Sequence, residues 1–271
     1  MPKYNSNQSI QRLLQLMERL RHPEQGCPWD REQTFASVAP YTLEEAYEVA
    51  DAIDKEDLCA LKDELGDLLF QVVFHARMAE EQGQFGFGDV VQAICDKMEL
   101  RHPHVFGSER IDTPEQQTQA WESHKQRERL AKNPQGRSSV LDNVPVGMPA
   151  LTRAAKLGKR AASVGFEWPD VLGALEKTEE EFREVRQAIE AGTSQAHIED
   201  ELGDLLFCLV NICRHAKVDP ETALRKTNLK FERRFRHVER RIQEQGGVLN
   251  ETPLADMDRY WIEAKSLERQ D

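Results

Sequence analysis

This chain lacks long apolar runs, paired cysteines, strand patterns and any excess of positive charge, and each absence removes a class of protein. No apolar stretch approaches the roughly 20 residues that a bilayer-spanning helix needs. Met1–Leu20 is polar with scattered leucines and has no signal-peptide core, so a cytoplasmic protein is expected. The five cysteines (Cys27, Cys59, Cys95, Cys208, Cys213) are odd in number and show no Cys-x-x-Cys spacing. That argues against a disulfide framework and a zinc site, and for reduced thiols. Lys and Arg number 36 against 48 Asp and Glu, a net charge of −12. Neither nucleic acid nor a membrane surface is then an expected partner, and a polyanion would need metal cations as mediators. No Val/Ile/Thr-rich alternation appears, so no sheet is expected. The chain has no P-loop, no Gly-x-Gly-x-x-Gly and no Gly-x-Ser-x-Gly. A bundle-type di-iron site wants two Glu-x-x-His pairs, and only Glu99/His102 fits.

What the chain has is a repeat. Asp-Glu-Leu-Gly-Asp-Leu-Leu-Phe stands at Asp63–Phe70 and again at Asp200–Phe207, 200 − 63 = 137 residues apart. Four more blocks recur in the same order. Gly26-Cys27-Pro28-Trp29 parallels Gly165-Phe166-Glu167-Trp168, and Glu44–Val49 parallels Glu180–Val185. Lys97–Arg101 parallels Lys230–Arg234, and Trp121/Lys125 parallels Trp261/Lys265. A tandem duplication explains this order. It predicts two all-α repeats, residues 1–132 and 150–271, joined by a linker over 133–149 rich in turn dipeptides. Helical periodicity predicts helices over 10–20, 42–54, 58–81, 114–130, 151–162, 171–191, 197–216, 220–245 and 254–267, with one more capped by Asp89 and running to Arg101. The leucines and phenylalanine of the octapeptide read as core, as do Trp29 and Trp168.

The repeated acids carry the chemistry. Glu45 and Glu48 are three apart and share a helix face, as do Glu64 and Asp67 on the next helix. An antiparallel hairpin would converge four carboxylates, which repel unless cations compensate them. Hard oxygen ligands on rigid helices suit Mg²⁺ or Mn²⁺. The second repeat offers Glu181, Glu184, Glu201 and Asp204. Gly66 and Gly203, mid-helix between the acids, suggest close approach of another helix or a ligand. Lys230 and Arg234 share a face and could grip phosphate, with Arg233 beside them. Trp261 and Lys265 could stack a base and contact phosphate.

Glu-Glu-x-x-Glu followed by Glu-x-x-Asp, doubled in one chain, resembles the tandem MazG proteins of the all-α nucleoside triphosphate pyrophosphohydrolases. So do Gly26–Asp30, Arg101–Phe106 and Lys230–Phe235. The resemblance implies helical domains that dimerise into bundles of about four helices. It also implies Mg²⁺-dependent cleavage of nucleoside triphosphates to monophosphate and pyrophosphate. On that pattern Glu181, Glu184, Glu201 and Asp204 hold the metal, and Glu180 orients the water. Lys230 and Arg234 stabilise pyrophosphate, while Trp261 and Lys265 contact nucleotide. Glu45, Glu48, Glu64 and Asp67 form the matching set of the first repeat. Lys177, one turn before Glu181, is a further phosphate ligand; its counterpart is Tyr41. His102-Pro103 also cuts short the first repeat's basic helix. The second repeat is therefore expected to be the main catalytic site. A narrow dUTP- or dCTP-type hydrolase, a phosphoribosyl-ATP pyrophosphohydrolase or a nucleotide-binding scaffold are the alternatives.

Overall fold

A computed structural model describes residues 6–108, 110, 111, 113, 116, 117, 120, 121 and 139–268. Most of the helix expected over 114–130, with Lys125, lies outside the described residues, as does the linker over 133–138. Helices form every long element among the described residues, and no strand occurs there. The backbone gathers into two compact units, Met1–Lys132 and Asn133–Asp271.

The first unit holds α1 (Ser6–Leu20), α2 (Pro28–Glu32), α3 (Phe35–Asp54), α4 (Leu58–Glu81), α5 (Phe87–Arg101) and α6 (Pro103–Phe106). Its centre is the α3–α4 hairpin. Periodicity predicts this helix from Thr42; it begins seven residues earlier, at Phe35, and contains Pro40. A capping box closes its start, with Ser37 N–H on Thr34 Oγ1 at 3.2 Å and Thr34 N–H on Ser37 Oγ at 2.9 Å. These bonds satisfy orphan donors and offset the bond Pro40 cannot make. Glu56, at a φ of 55°, turns the chain, and Asp57 caps α4 through the amides of Cys59 and Ala60. Asp89 is not the cap of α5. Gly86 is, and the Asp89 carboxylate reaches back to its N–H at 2.8 Å.

Met17, Val38, Val73, Phe74 and Met78 make the core between α1, α3 and α4. Arg21 locks it from the edge: it lies 5.3 Å over the Phe74 ring and pairs with Glu81 at 2.7 Å. Burial pushes the Glu81 carboxyl up, but the Arg21 and Arg77 guanidiniums outweigh it and hold it below the usual range.

The second unit repeats the plan with α7 (Ala150–Ala162), α8 (Val171–Glu190), α9 (Gln195–His215), α10 (Pro220–Glu244) and α11 (Leu254–Leu267). Side chains cap three of these starts: Asp170 for α8, Ser194 for α9 and Asp219 for α10. α8 and α9 form the hairpin, turned at Gly192 with a φ of 62°. α7 crosses α9 closely at Gly158, where a Cβ would stand 3.0 Å from Asn211 Oδ1. α10 and α11 pack through Val238, Ile242 and Tyr260, with Met257 and Trp261 beside them. At 25 residues, α10 is ten longer than α5, its counterpart, which stops at Arg101 before Pro103.

Two expectations fail on burial, and the helix alternative for the mid-helix glycines fails on distance. In the octapeptides Leu65, Leu69, Leu202, Leu206 and Phe207 are exposed; Phe70 does pack against the first core. Trp29 is 51% exposed and is not core. Nothing lies within 4 Å of a Cβ built on Gly66 or Gly203, so no helix among the described residues makes the close approach expected there.

Candidate functional site

Each hairpin brings three carboxylates together. In the second unit the turn after α8 sets Glu201 of α9 against Glu181 and Glu184 of α8. One oxygen of each of the three lies within 4.8 Å of the others. Glu181 is buried, at 5% exposure, while Glu184 and Glu201 are half-buried. Asp204 stands one turn beyond Glu201, exposed and outside the trio. Its side chain is a methylene shorter than glutamate, which limits its reach.

Lys177 answers part of the charge. Its Nζ lies 2.8 Å from Glu180 Oε1 and 2.8 Å from Glu181 Oε1. The two carboxylates, Glu180 first, push the ammonium's pKa up, and Lys177 in turn holds the Glu180 carboxyl below its ordinary value. His197 Nδ1 stands 3.6 Å from Glu201. Cys208 is buried behind the site, and burial, then the Glu181 charge, pushes its thiol up. Such a thiol stays neutral and unreactive.

The first unit has the same trio without the ammonium. Glu45 and Glu48 of α3 and Glu64 of α4 meet within 4.8 Å. The position of Lys177 is held by Tyr41, whose ring meets Trp29 edge-on at 6.0 Å. Desolvation and then Asp67 and Glu48 raise the Glu45 carboxyl, against a hydrogen bond from Gln71 that lowers it. Desolvation and then Glu48, by charge and by hydrogen bond, raise Glu64. These acids respond to one another as uncompensated like charges do.

A second cluster of the second unit lies on α10 and α11. Arg233 and Arg234 both donate to Glu268, and Arg234 also lies 5.7 Å over the Trp261 ring. Phe231 packs on Trp261 at 5.3 Å. A cavity of about 560 Å³ opens here, lined by Arg233, Arg234, Arg236, His237, Arg240 and Glu268. Lys230 is half-buried on α10 and Lys265 exposed on α11. The sequence reading placed Lys177, Lys230, Arg233, Arg234, Trp261 and Lys265 around one substrate. The structure sets Lys177 on the acids and gathers Arg233, Arg234 and Trp261 together. It pairs those arginines with Glu268, which the sequence reading missed. Spacing puts Glu268 seven residues, about two turns, after Trp261 and so on its face, but does not say which arginines of α10 that face meets.

The MazG nucleotide pyrophosphohydrolase domain matches this chain twice, over residues 33–106 and 171–239, and the chain belongs to that family. Both matched segments contain the acid trios, and the second stops within α10. Over 260 residues the chain is 50% identical to a nucleoside triphosphate pyrophosphohydrolase of Escherichia coli (strain K12), covering 96% of this chain and 98% of that one. It is 44% identical over 256 residues to a nucleoside triphosphate pyrophosphohydrolase/pyrophosphatase MazG of Thermotoga maritima, covering 94% and 95%. A crystal structure of a mazG-related protein from Thermotoga maritima aligns with 43% of this chain and 98% of its own, at 28% identity and a TM-score of 0.37.

Proposed function

We propose that this chain hydrolyses nucleoside triphosphates, ribo- or deoxyribo-, at the α–β phosphoanhydride to give monophosphate and pyrophosphate, mainly at its second unit. The observation that carries the reading is the trio Glu181, Glu184 and Glu201 with Lys177 one turn away. Three hard oxygens within 4.8 Å of one another fit a small divalent cation, Mg²⁺ or Mn²⁺, and Asp204 is near enough in sequence to complete the set. When bound, such an ion supplies charge neutralisation on phosphate and acidifies a water.

The chain's own groups divide the rest of the work. Glu180, whose carboxyl stays ionised beside Lys177, accepts a proton of the attacking water and orients it toward the α-phosphorus. Water oxygen bonds to that phosphorus, and the bond from it to the bridging oxygen breaks. Lys230 and Arg234 receive the charge that builds on the departing pyrophosphate, and Lys177 joins them once triphosphate draws it from the acids. Trp261 and Lys265 contact the nucleoside end. The first unit's set, Glu45, Glu48, Glu64 and Asp67, is weaker or structural, because no ammonium shares it at position 41.

Exposed Phe182, Leu202, Leu206 and Leu209 on the second hairpin favour a homodimer, in which a second copy covers this face. No helix among the described residues is long and apolar enough to cross a membrane. With a net charge of −12 the protein fits a cytoplasmic enzyme acting on free nucleotides rather than on nucleic acid. The test is a panel of ribo- and deoxyribonucleoside triphosphates with Mg²⁺, with the products separated. Monophosphate and pyrophosphate are expected; diphosphate and orthophosphate would refute the bond assignment.

A further inference from the structure

The α10–α11 pair ends in a contact that the acid chemistry does not use. Glu268 follows the last turn of α11, and each of its oxygens serves a different arginine of α10. Oε1 accepts from Nε and Nη2 of Arg233 at 2.9 and 2.6 Å. Oε2 accepts from Nε and Nη2 of Arg234 at 2.9 and 2.6 Å. Pairing along one edge fixes the plane of a guanidinium as well as its position. Arg234 is held on a second side by the face of Trp261, and its side chain is 17% exposed. An exposed ion pair contributes little, because two long side chains must be ordered in water. The Arg234 half is largely shielded, at 17% and 24% side-chain exposure, while Arg233 is 63% exposed, so the orienting effect falls chiefly on Arg234. The Nε edge of Arg234 is taken up, and its Nη1 edge is left for another acceptor. The neighbouring cavity is also lined by Arg236 and Arg240, which have Glu232 and Glu244 of the same helix beside them.

We propose that Glu268 is a positioning residue for the reaction: it fixes Arg233 and Arg234 side by side so that they meet a polyphosphate with their orientation already set. The proposal rests on the pyrophosphohydrolase reading above. A carboxylate that merely competed for the arginines would weaken phosphate binding, so removing it would tighten that binding. One that merely tied α11 to α10 would affect stability and leave the affinity of the folded protein for pyrophosphate unchanged.

The experiment uses the full chain with Glu268→Gln, Arg234→Ala and the double substitution, each checked for folding by its melting curve. Glu268→Gln keeps the size of the side chain, so a folded protein is expected. Inorganic pyrophosphate binding is titrated calorimetrically in chelator, and kcat and KM are measured with Mg²⁺ and the best triphosphate of the panel. Glu268→Gln is expected to weaken pyrophosphate binding about tenfold and to lower kcat about tenfold, with KM changed less than about threefold. In the Arg234→Ala background it is expected to add little, because the two act as one unit. Unchanged or tighter pyrophosphate binding would overturn the proposal, and so would an equal loss in both backgrounds. A wild-type chain that released no pyrophosphate from any triphosphate would sink the functional reading instead. The binding and double-substitution results would still decide the role of Glu268.

Discussion

The two hairpins carry the same three glutamates and differ in what stands one turn before them. In the second unit Lys177 lies 2.8 Å from Glu181, and Glu180 shares it. In the first, Tyr41 turns to Trp29 and the acids are left to one another. Identical octapeptides therefore sit in opposite electrostatic settings. One trio has a resident cation that polyphosphate can draw on, and that cation holds the neighbouring Glu180 carboxyl below its ordinary value. The other is a set of like charges in which burial and its neighbours push the Glu45 and Glu64 carboxyls up. Duplication preserved the acids, and the divergence lies in their counter-charge and in the length of the basic helix that follows.

The largest effect that would separate the two is on turnover. Glu184→Ala is expected to lower kcat at least about a thousandfold, while Glu48→Ala stays within about threefold, measured as pyrophosphate release at saturating Mg²⁺. The reverse pattern would exchange the roles of the units. Lys177→Met is expected to cost about ten- to a hundredfold in kcat/KM, the range for losing one charged contact to a polyphosphate. A loss no larger than that of Tyr41→Phe would remove Lys177 from the account.

A smaller effect falls on stability. Gly173, in the first turn of α8, has no room for a side chain, since a Cβ there would stand 2.8 Å from Trp168 Cδ1. Gly173→Ala is expected to destabilise the second unit by about 1–3 kcal/mol through displacement of that ring, read by urea unfolding. The smallest effect is on pH dependence, and its sign differs between the units. The Glu64 carboxyl is raised, so the native state binds its proton more readily than the unfolded chain does, and stability falls as pH rises past about 4.5. In chelator, Glu64→Gln should raise the melting temperature at pH 7, and the gain should vanish below pH 4.5. The Glu180 carboxyl is depressed. Its contribution is present above about 4.5 and is lost as pH falls through its lower folded value. Glu180→Gln should therefore lower the melting temperature at pH 7.

Most of the fold was legible because the helices are long and periodic; the bounds of α4 and α11 match the reading residue for residue. The start of α3 was not legible: the capping box of Thr34 and Ser37 opens it seven residues before the expected Thr42, with Pro40 inside. Burial was the weakest inference. Periodicity tells which residues share a face, as Leu202, Leu206 and Leu209 do, but it does not tell whether that face meets its own core. Of the site, the three glutamates of each set and the place of Lys177 were readable from spacing on two adjacent helices, whereas Asp67 and Asp204, expected in the same sets, fall outside the trios. The pairing of Arg233 and Arg234 with Glu268 was not, because it joins the middle of α10 to the end of α11 and depends on how those two helices pack.

The claim that the second unit is the catalytic one can be tested by locating the substrate. Crystals of the full chain with Mg²⁺ and a non-hydrolysable triphosphate should show the triphosphate against Glu181, Glu184 and Glu201. A triphosphate held instead by Glu45, Glu48 and Glu64, with the second hairpin empty, would contradict the account.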